Sequence, residues 1–165
     1  MKKLVSFTML VVCALAVSPA GQAQDCSNWT TWDLRGTYTM SGSGWIDLSK
    51  LASTLPAGTI PMAWAGAMSY NGAGGGTGWV AVNAGGVQIT IDFVNLTYQA
   101  KADCSVPVSY SMKVREFGVT LGPVSRLLVI GGNPAALSLY GIQVGTGPAT
   151  PVDLMAAQRV NMQFK

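Results

Sequence analysis

From Pro61 onward the chain alternates large and small side chains. Met62, Trp64, Gly66, Met68 and Tyr70 hold the even positions, and Ala63, Ala65, Ala67 and Ser69 the odd ones. A period of two sends successive side chains to opposite faces of an extended chain, so this stretch predicts a strand with its bulk on one side. The run from Asn71 to Gly78 is almost all glycine and small residues, and Trp79-Val80-Ala81-Val82 then resumes the apolar pattern. Asparagine and glycine accept positive φ at little cost, so Pro61 to Val82 reads as a β-hairpin around a glycine-rich turn.

The same period recurs along the chain. Leu34 to Ser41 predicts a first strand, with Tyr38 and Met40 set against Thr37, Thr39 and Ser41. Gly42 to Ala57 is irregular and reads as a loop with a helical turn over Ser49-Lys50-Leu51-Ala52, ended by Pro56 and Gly58. After the turn Asn83-Ala84-Gly85-Gly86, Val87 to Ala102 is the longest strand. Its apolar residues sit at odd positions through Phe93 and at even ones from Val94, which predicts a β-bulge or bend near Phe93-Val94.

Ser105 to Val114 alternates most cleanly. Val106, Val108, Tyr110, Met112 and Val114 oppose Ser105, Pro107, Ser109, Ser111 and Lys113. Val124 to Ile130 reads as a continuous apolar strand ahead of Gly131-Gly132-Asn133-Pro134, and Leu137 to Val144 as the next. After a loop over Gly145 to Pro151, Leu154 to Phe164 closes the chain with Val160, Met162 and Phe164 opposite Arg159, Asn161, Gln163 and Lys165. Eight strands on hairpin-length connections, without a long amphipathic helix, predict an all-β single antiparallel eight-stranded up-and-down barrel. A β-sandwich shares most of these signals and is the alternative.

The chain has 165 residues, 49% of them hydrophobic and 10% charged. That length suits one domain, and the charge is well below the roughly 25% of an average soluble domain. Part of the excess is local. Met1-Lys2-Lys3, the apolar run Leu4 to Val17 and the small residues Gly21-Gln22-Ala23 have the form of a signal peptide over residues 1–23, leaving 24–165 as a single barrel domain. The protein is therefore expected to be exported, extracellular or periplasmic, and no stretch is apolar and long enough for a transmembrane helix.

Loss of Lys2 and Lys3 with the leader takes the formal charge from +3 to about +1. Lys101, Lys113, Arg115, Arg126 and Arg159 are scattered singly, which argues against a nucleic-acid partner. Cys13 falls in the leader, and the remaining Cys26 and Cys104 are expected to form a disulfide. Asn28-Trp29-Thr30 and Asn95-Leu96-Thr97 match the N-glycosylation pattern, which matters only in a eukaryotic host.

Candidate chemistry is sparse. The chain has no histidine, which removes the commonest general base and metal ligand, and no cofactor or metal site is expected. Asp25, Asp33, Asp47, Asp103, Glu116 and Asp153 fall at turns or strand ends and Asp92 on a polar strand face, so all read as solvated or turn-capping groups. The run Asn71 to Gly78 lacks the lysine and following helix of a phosphate loop. Trp29 and Trp32 read as a cap on an open end of the core, which an indole is large enough to plug, with an exposed ligand site as the alternative. Met62, Trp64, Met68 and Tyr70, with Tyr110 and Met112, form a large-residue face that either fills the barrel or lines a ligand cavity.

Leu34-Arg35-Gly36-Thr37-Tyr38-Thr39, Gly66-Ala67-Met68-Ser69-Tyr70-Asn71-Gly72-Ala73-Gly74 and Tyr98-Gln99-Ala100-Lys101-Ala102-Asp103-Cys104 resemble a pattern in small exported bacterial proteins of unknown function. More distantly, Leu34 to Tyr38 is similar to the first strand of the calycins, the lipocalins and avidins. These carry Gly-x-Trp there and often a last-strand arginine packed against it. Tyr38 stands in the tryptophan position, and the alternation puts Arg159 on the polar face. The resemblance implies an eight-stranded barrel that holds a small ligand. The expected function is that of an exported, non-enzymatic barrel binding a small apolar molecule or a surface partner. The alternatives are a histidine-free barrel enzyme of cyclase or isomerase type, and an eight-stranded outer-membrane barrel, suggested by the low charge and Phe164.

Overall fold

The alternation is realised in eight strands: β1 Gly36–Asp47, β2 Thr59–Tyr70, β3 Gly75–Ala84, β4 Val87–Tyr98, β5 Ser105–Val114, β6 Val119–Gly131, β7 Ser138–Val144 and β8 Val152–Arg159. The computed structural model describes residues 25–55, 57–132, 137–144 and 152–160. The expected signal peptide, Pro56, the loop over Gly145 to Pro151, and Met162 and Phe164 lie outside them. Each strand pairs antiparallel with the next, and β8 returns to β1 with Met40 opposite Ala157, so the sheet closes into an up-and-down barrel. Closure leaves no unpaired edge, and the sandwich alternative falls away.

Inward positions carry the core. Tyr38, Met40 and Ile46 of β1, Met62, Trp64, Met68 and Tyr70 of β2, and Val106 to Val114 at every second residue of β5 are all buried. The hairpin of β2 and β3 forms as read, with Asn71 Oδ1 accepting from the amides of Ala73 and Gly75 at 2.7 and 3.0 Å.

Five details depart from the sequence expectation. β1 continues to Asp47 through the stretch read as a loop, because Gly42 and Gly44 keep the strand period without contributing bulk. The helical turn is a 3-10 turn at Leu48–Lys50, started by Asp47, whose carboxylate accepts from Ser49 N at 3.0 Å and Ser49 Oγ at 2.7 Å. In β4 the phase changes at Asn95, with φ of 54°, where the register with β5 slips between Val94 and Thr97. Val94 is thus only half-buried, and Leu96 follows Phe93 on the inside.

The other two departures set the interior. β6 alternates instead of being uniformly apolar: Val124, Arg126, Leu128 and Ile130 face in, while Ser125, Leu127 and Val129 face out. In β8 the expected facing is reversed. Asp153, Met155 and Ala157 point inward, and Leu154 is 67% exposed. With Ala156 and Ala157 adjacent, β8 has a weak pattern of its own, and pairing with β1 and β7 on its two sides fixes the phase.

The two ends of the barrel close differently. At one, residues 25–34 lie across the opening, held by the Cys26–Cys104 disulfide with Cα atoms 5.1 Å apart. That bridge spans 78 residues, worth about 4 kcal/mol by the loop-entropy relation. Disulfides of this kind persist in oxidising compartments. At the other end Leu48 and Leu51 turn into the core from the segment after β1.

Candidate functional site

All six residues of the expected large-residue face are buried inside the barrel. The structure divides them into two groups. Met68 and Tyr70 belong to the end covered by residues 25–34, where Tyr70 packs between Tyr38 and Tyr98 with ring centroids 5.4 and 4.4 Å away. Met62, Trp64, Tyr110 and Met112 line a cavity of about 30 Å³ toward the other end, together with Leu51 and Leu121.

Three polar side chains converge on that cavity: Arg126 from β6, Gln143 from β7 and Asp153 from β8. Each shares the inward phase of its strand. Arg126 Nη2 donates to Asp153 Oδ2 at 2.8 Å, and both side chains are at most 5% exposed. The guanidinium lies 5.6 Å from the centre of the Trp64 ring, a cation–π contact. The indole fits because β1 has a glycine opposite it, where a Cβ on Gly42 would stand 2.3 Å from Trp64 Cζ2.

This cluster leaves polar capacity unused. Arg126 Nε and Nη1, Asp153 Oδ1, Trp64 Nε1 and both amide atoms of Gln143 are buried and meet no hydrogen-bond partner among the described residues. A buried donor or acceptor without a partner costs about 1–3 kcal/mol. Burial works against the Arg126 cation, but Tyr110 and Asp153 beside it outweigh that and hold its pKa above the ordinary guanidinium value. Burial pushes the Tyr110 phenol up, opposed by the same guanidinium.

At the other end the polar atoms are largely matched. Tyr38 Oη donates to the Leu34 carbonyl at 2.9 Å, and the Gly72 amide donates to Tyr98 Oη at 2.8 Å. Arg159, expected on a polar face, turns over this end. Its guanidinium lies 5.6 Å from the Tyr38 ring and donates to the carbonyls of Asp33 and Arg35. The Tyr70 hydroxyl is buried without a partner among the described residues, and burial raises its pKa.

The remaining acids behave as turn and surface groups. Hydrogen bonds from Ser27, Thr30, Ser49 and Ser105 hold the carboxyls of Asp25, Asp33, Asp47 and Asp103 below their usual range. Asp92 pairs with Arg115 at 2.6 Å on the outside. Trp29 packs partly against the core, whereas Trp32 stays 60% exposed on the surface beside Gly72, with the Arg35 guanidinium 4.9 Å from its ring.

Sequence reasoning missed Arg126, Gln143 and Asp153. In the sequence Arg126 stands as one of several isolated bases, although its spacing from Val124, Leu128 and Ile130 carries the inward phase. The free donors on Arg126, Trp64 and Gln143 outnumber the free acceptors on Asp153 and Gln143, so the cluster suits a guest with a compact oxygen-bearing head. A metal ion would find a single carboxylate already beside a guanidinium, which is unfavourable. No known protein family, curated protein or solved structure matches the chain.

Proposed function

We propose that this is an exported, non-enzymatic β-barrel binding protein that takes a small ligand, polar at one end and apolar along its body, into the half of the lumen lined by Met62, Trp64, Tyr110 and Met112. The observation that carries this reading is the set of polar atoms on Trp64, Arg126, Gln143 and Asp153 that meet no partner among the described residues, at the inner end of an otherwise apolar cavity. The head meets the free donors, and the body lies against Leu121 and the two methionines, whose flexible thioethers repack around varied shapes. A cavity of about 30 Å³ is the volume of one water molecule in the liquid, so a larger ligand enters by displacing the segment that carries Leu48 and Leu51.

Several features support the parts of this reading. The basic-then-apolar leader and the Cys26–Cys104 disulfide support export. The closed eight-stranded sheet, with Arg159 over Tyr38, supports the calycin-like character. Among the described residues Asp153 is the one acid lining the cavity, and its carboxylate already accepts from Arg126, which favours binding over proton transfer. The outside of β1–β5 carries Thr39, Ser41, Ala65, Thr77, Thr97 and Ser109 around an apolar interior. A membrane barrel has the opposite order, so this pattern favours a barrel surrounded by water.

Native mass spectrometry of the protein purified from its exporting host tests the proposal. A retained small-molecule adduct is expected, and it should disappear in the double variant Arg126→Met/Asp153→Leu, which removes the polar head site while keeping the volume apolar. An adduct-free protein that also gains no thermal stability from medium-chain fatty acids or their amides would overturn it.

A further inference from the structure

The outer face of β6, β7, β8 and β1 differs from the rest of the surface. Leu127, Val129, Tyr140, Ile142, Leu154 and Trp45 stand outward there, each between 37% and 67% exposed. Strand register makes them one strip: Leu127 pairs with Ile142, Ile142 with Leu154, and Val129 with Tyr140. Trp45 joins the strip across a shallow hollow that it lines with Ile142 and Leu154. No outward position of β6–β8 in this strip carries a charge among the described residues.

The strip contains both a protrusion and a recess. Tyr140 rises beside a hollow of about 350 Å³ floored by the small side chains of Ser41, Ser138 and Ala156. A surface with a knob next to a matching recess is self-complementary under a two-fold axis, since each copy fills the other's hollow. The exposed parts of these six side chains amount to roughly 600 Å², at the upper limit for a monomer's largest apolar patch and most of the ~800 Å² per partner in a stable interface.

The absence of charge narrows the occupant. Among the described residues the strip offers an acidic or basic partner no ion to pair with, and it lacks the lysines and arginines that meet a membrane surface. A second copy brings no like-charge repulsion. We infer that the β6–β7–β8–β1 face is the interface of a two-fold homodimer of this chain, with Tyr140 of each copy seated in the partner's Ser41/Ala156 hollow. This interface is separate from the lumen, so its test does not depend on any ligand.

Sedimentation velocity of the purified protein at micromolar concentration should show a dimer. Leu154→Lys and Tyr140→Lys, each at an exposed position, should raise the dissociation constant at least ~tenfold while far-ultraviolet circular dichroism stays unchanged. Thr97→Lys, exposed on β4 and paired with no strand of the strip, should leave the dimer intact. A protein that stays monomeric, a dimer indifferent to both strip substitutions, or a monomer that binds neutral phospholipid vesicles through the strip would each overturn the inference.

Discussion

At the end covered by residues 25–34, Tyr38 donates to Leu34, the Gly72 amide donates to Tyr98, and Arg159 donates to two backbone carbonyls. In the opposite half of the lumen, Arg126 and Asp153 share one hydrogen bond, and six polar atoms of Trp64, Arg126, Gln143 and Asp153 have no partner among the described residues. The two halves bury aromatic and polar groups of the same kinds. What separates them is a covering segment whose backbone carbonyls accept from Tyr38 and Arg159 at the first end, while among the described residues the second is met by apolar Leu48 and Leu51. Polar groups closed off by their own chain serve stability, and polar groups left without such a cover keep their capacity for something else.

The ion pair gives the largest expected effect. Arg126→Met leaves the Asp153 carboxylate buried without its cation and should lower unfolding free energy by about 3–5 kcal/mol in urea titration. Arg126→Met with Asp153→Leu should recover most of that loss, because two apolar side chains remove both desolvation costs. A single substitution costing under about 1 kcal/mol would mean that solvent reaches the pair, and the contrast between the halves would disappear.

The closed end should answer to reduction. Opening Cys26–Cys104 is expected to cost about 4 kcal/mol. Its effect should add to that of the ion-pair variants, since the sites lie at different ends and share no partners. Thermal unfolding with and without reductant checks this, and an unchanged midpoint would mean that the covering segment is held by its other contacts alone.

Gly42→Ala probes the floor under Trp64. The new methyl would sit 2.3 Å from Trp64 Cζ2 and 2.4 Å from the Leu154 carbonyl oxygen. Overpacking of this kind costs about 1–3 kcal/mol, and here it also tilts the indole that shares the polar cluster. Ligand retention should therefore fall together with stability. If retention is unaffected, Trp64 is packing alone and the head site reduces to Arg126, Gln143 and Asp153.

The barrel was legible because its signal is repeated. Ser105 to Val114 and Pro61 to Tyr70 state the period of two in large apolar residues, and hairpin-length turns leave few other topologies. The polar cluster was not, because each of its members is ordinary alone. Arg126 looks like a surface base until β6 is phased residue by residue. Asp153 looks like a turn acid because its neighbour Leu154 is the apolar residue one would bury, and only pairing with β1 and β7 turns Leu154 outward. Arg159 was misplaced for the same reason.

Tyr38→Phe sharpens the comparison from the satisfied side. Removing the hydroxyl deprives the Leu34 carbonyl of its donor, for an expected loss of about 1 kcal/mol at neutral pH. The loss should depend on pH in a direction that can be worked out. Burial raises the Tyr38 pKa above its ordinary value of 10.0, with Arg159 opposing, so the folded state keeps this proton while the unfolded chain releases it. The hydroxyl's contribution is therefore fully present below pH 10 and drains away as pH rises through the folded value. Phenylalanine has no proton to lose, so the stability gap between the two proteins should narrow above pH 10, measured by urea titration at pH 7, 10 and 11. A gap that widens instead would mean that the phenolate is stabilised by Arg159 more than burial penalises it, and that the covering segment leaves Tyr38 as well as Tyr70 unsatisfied.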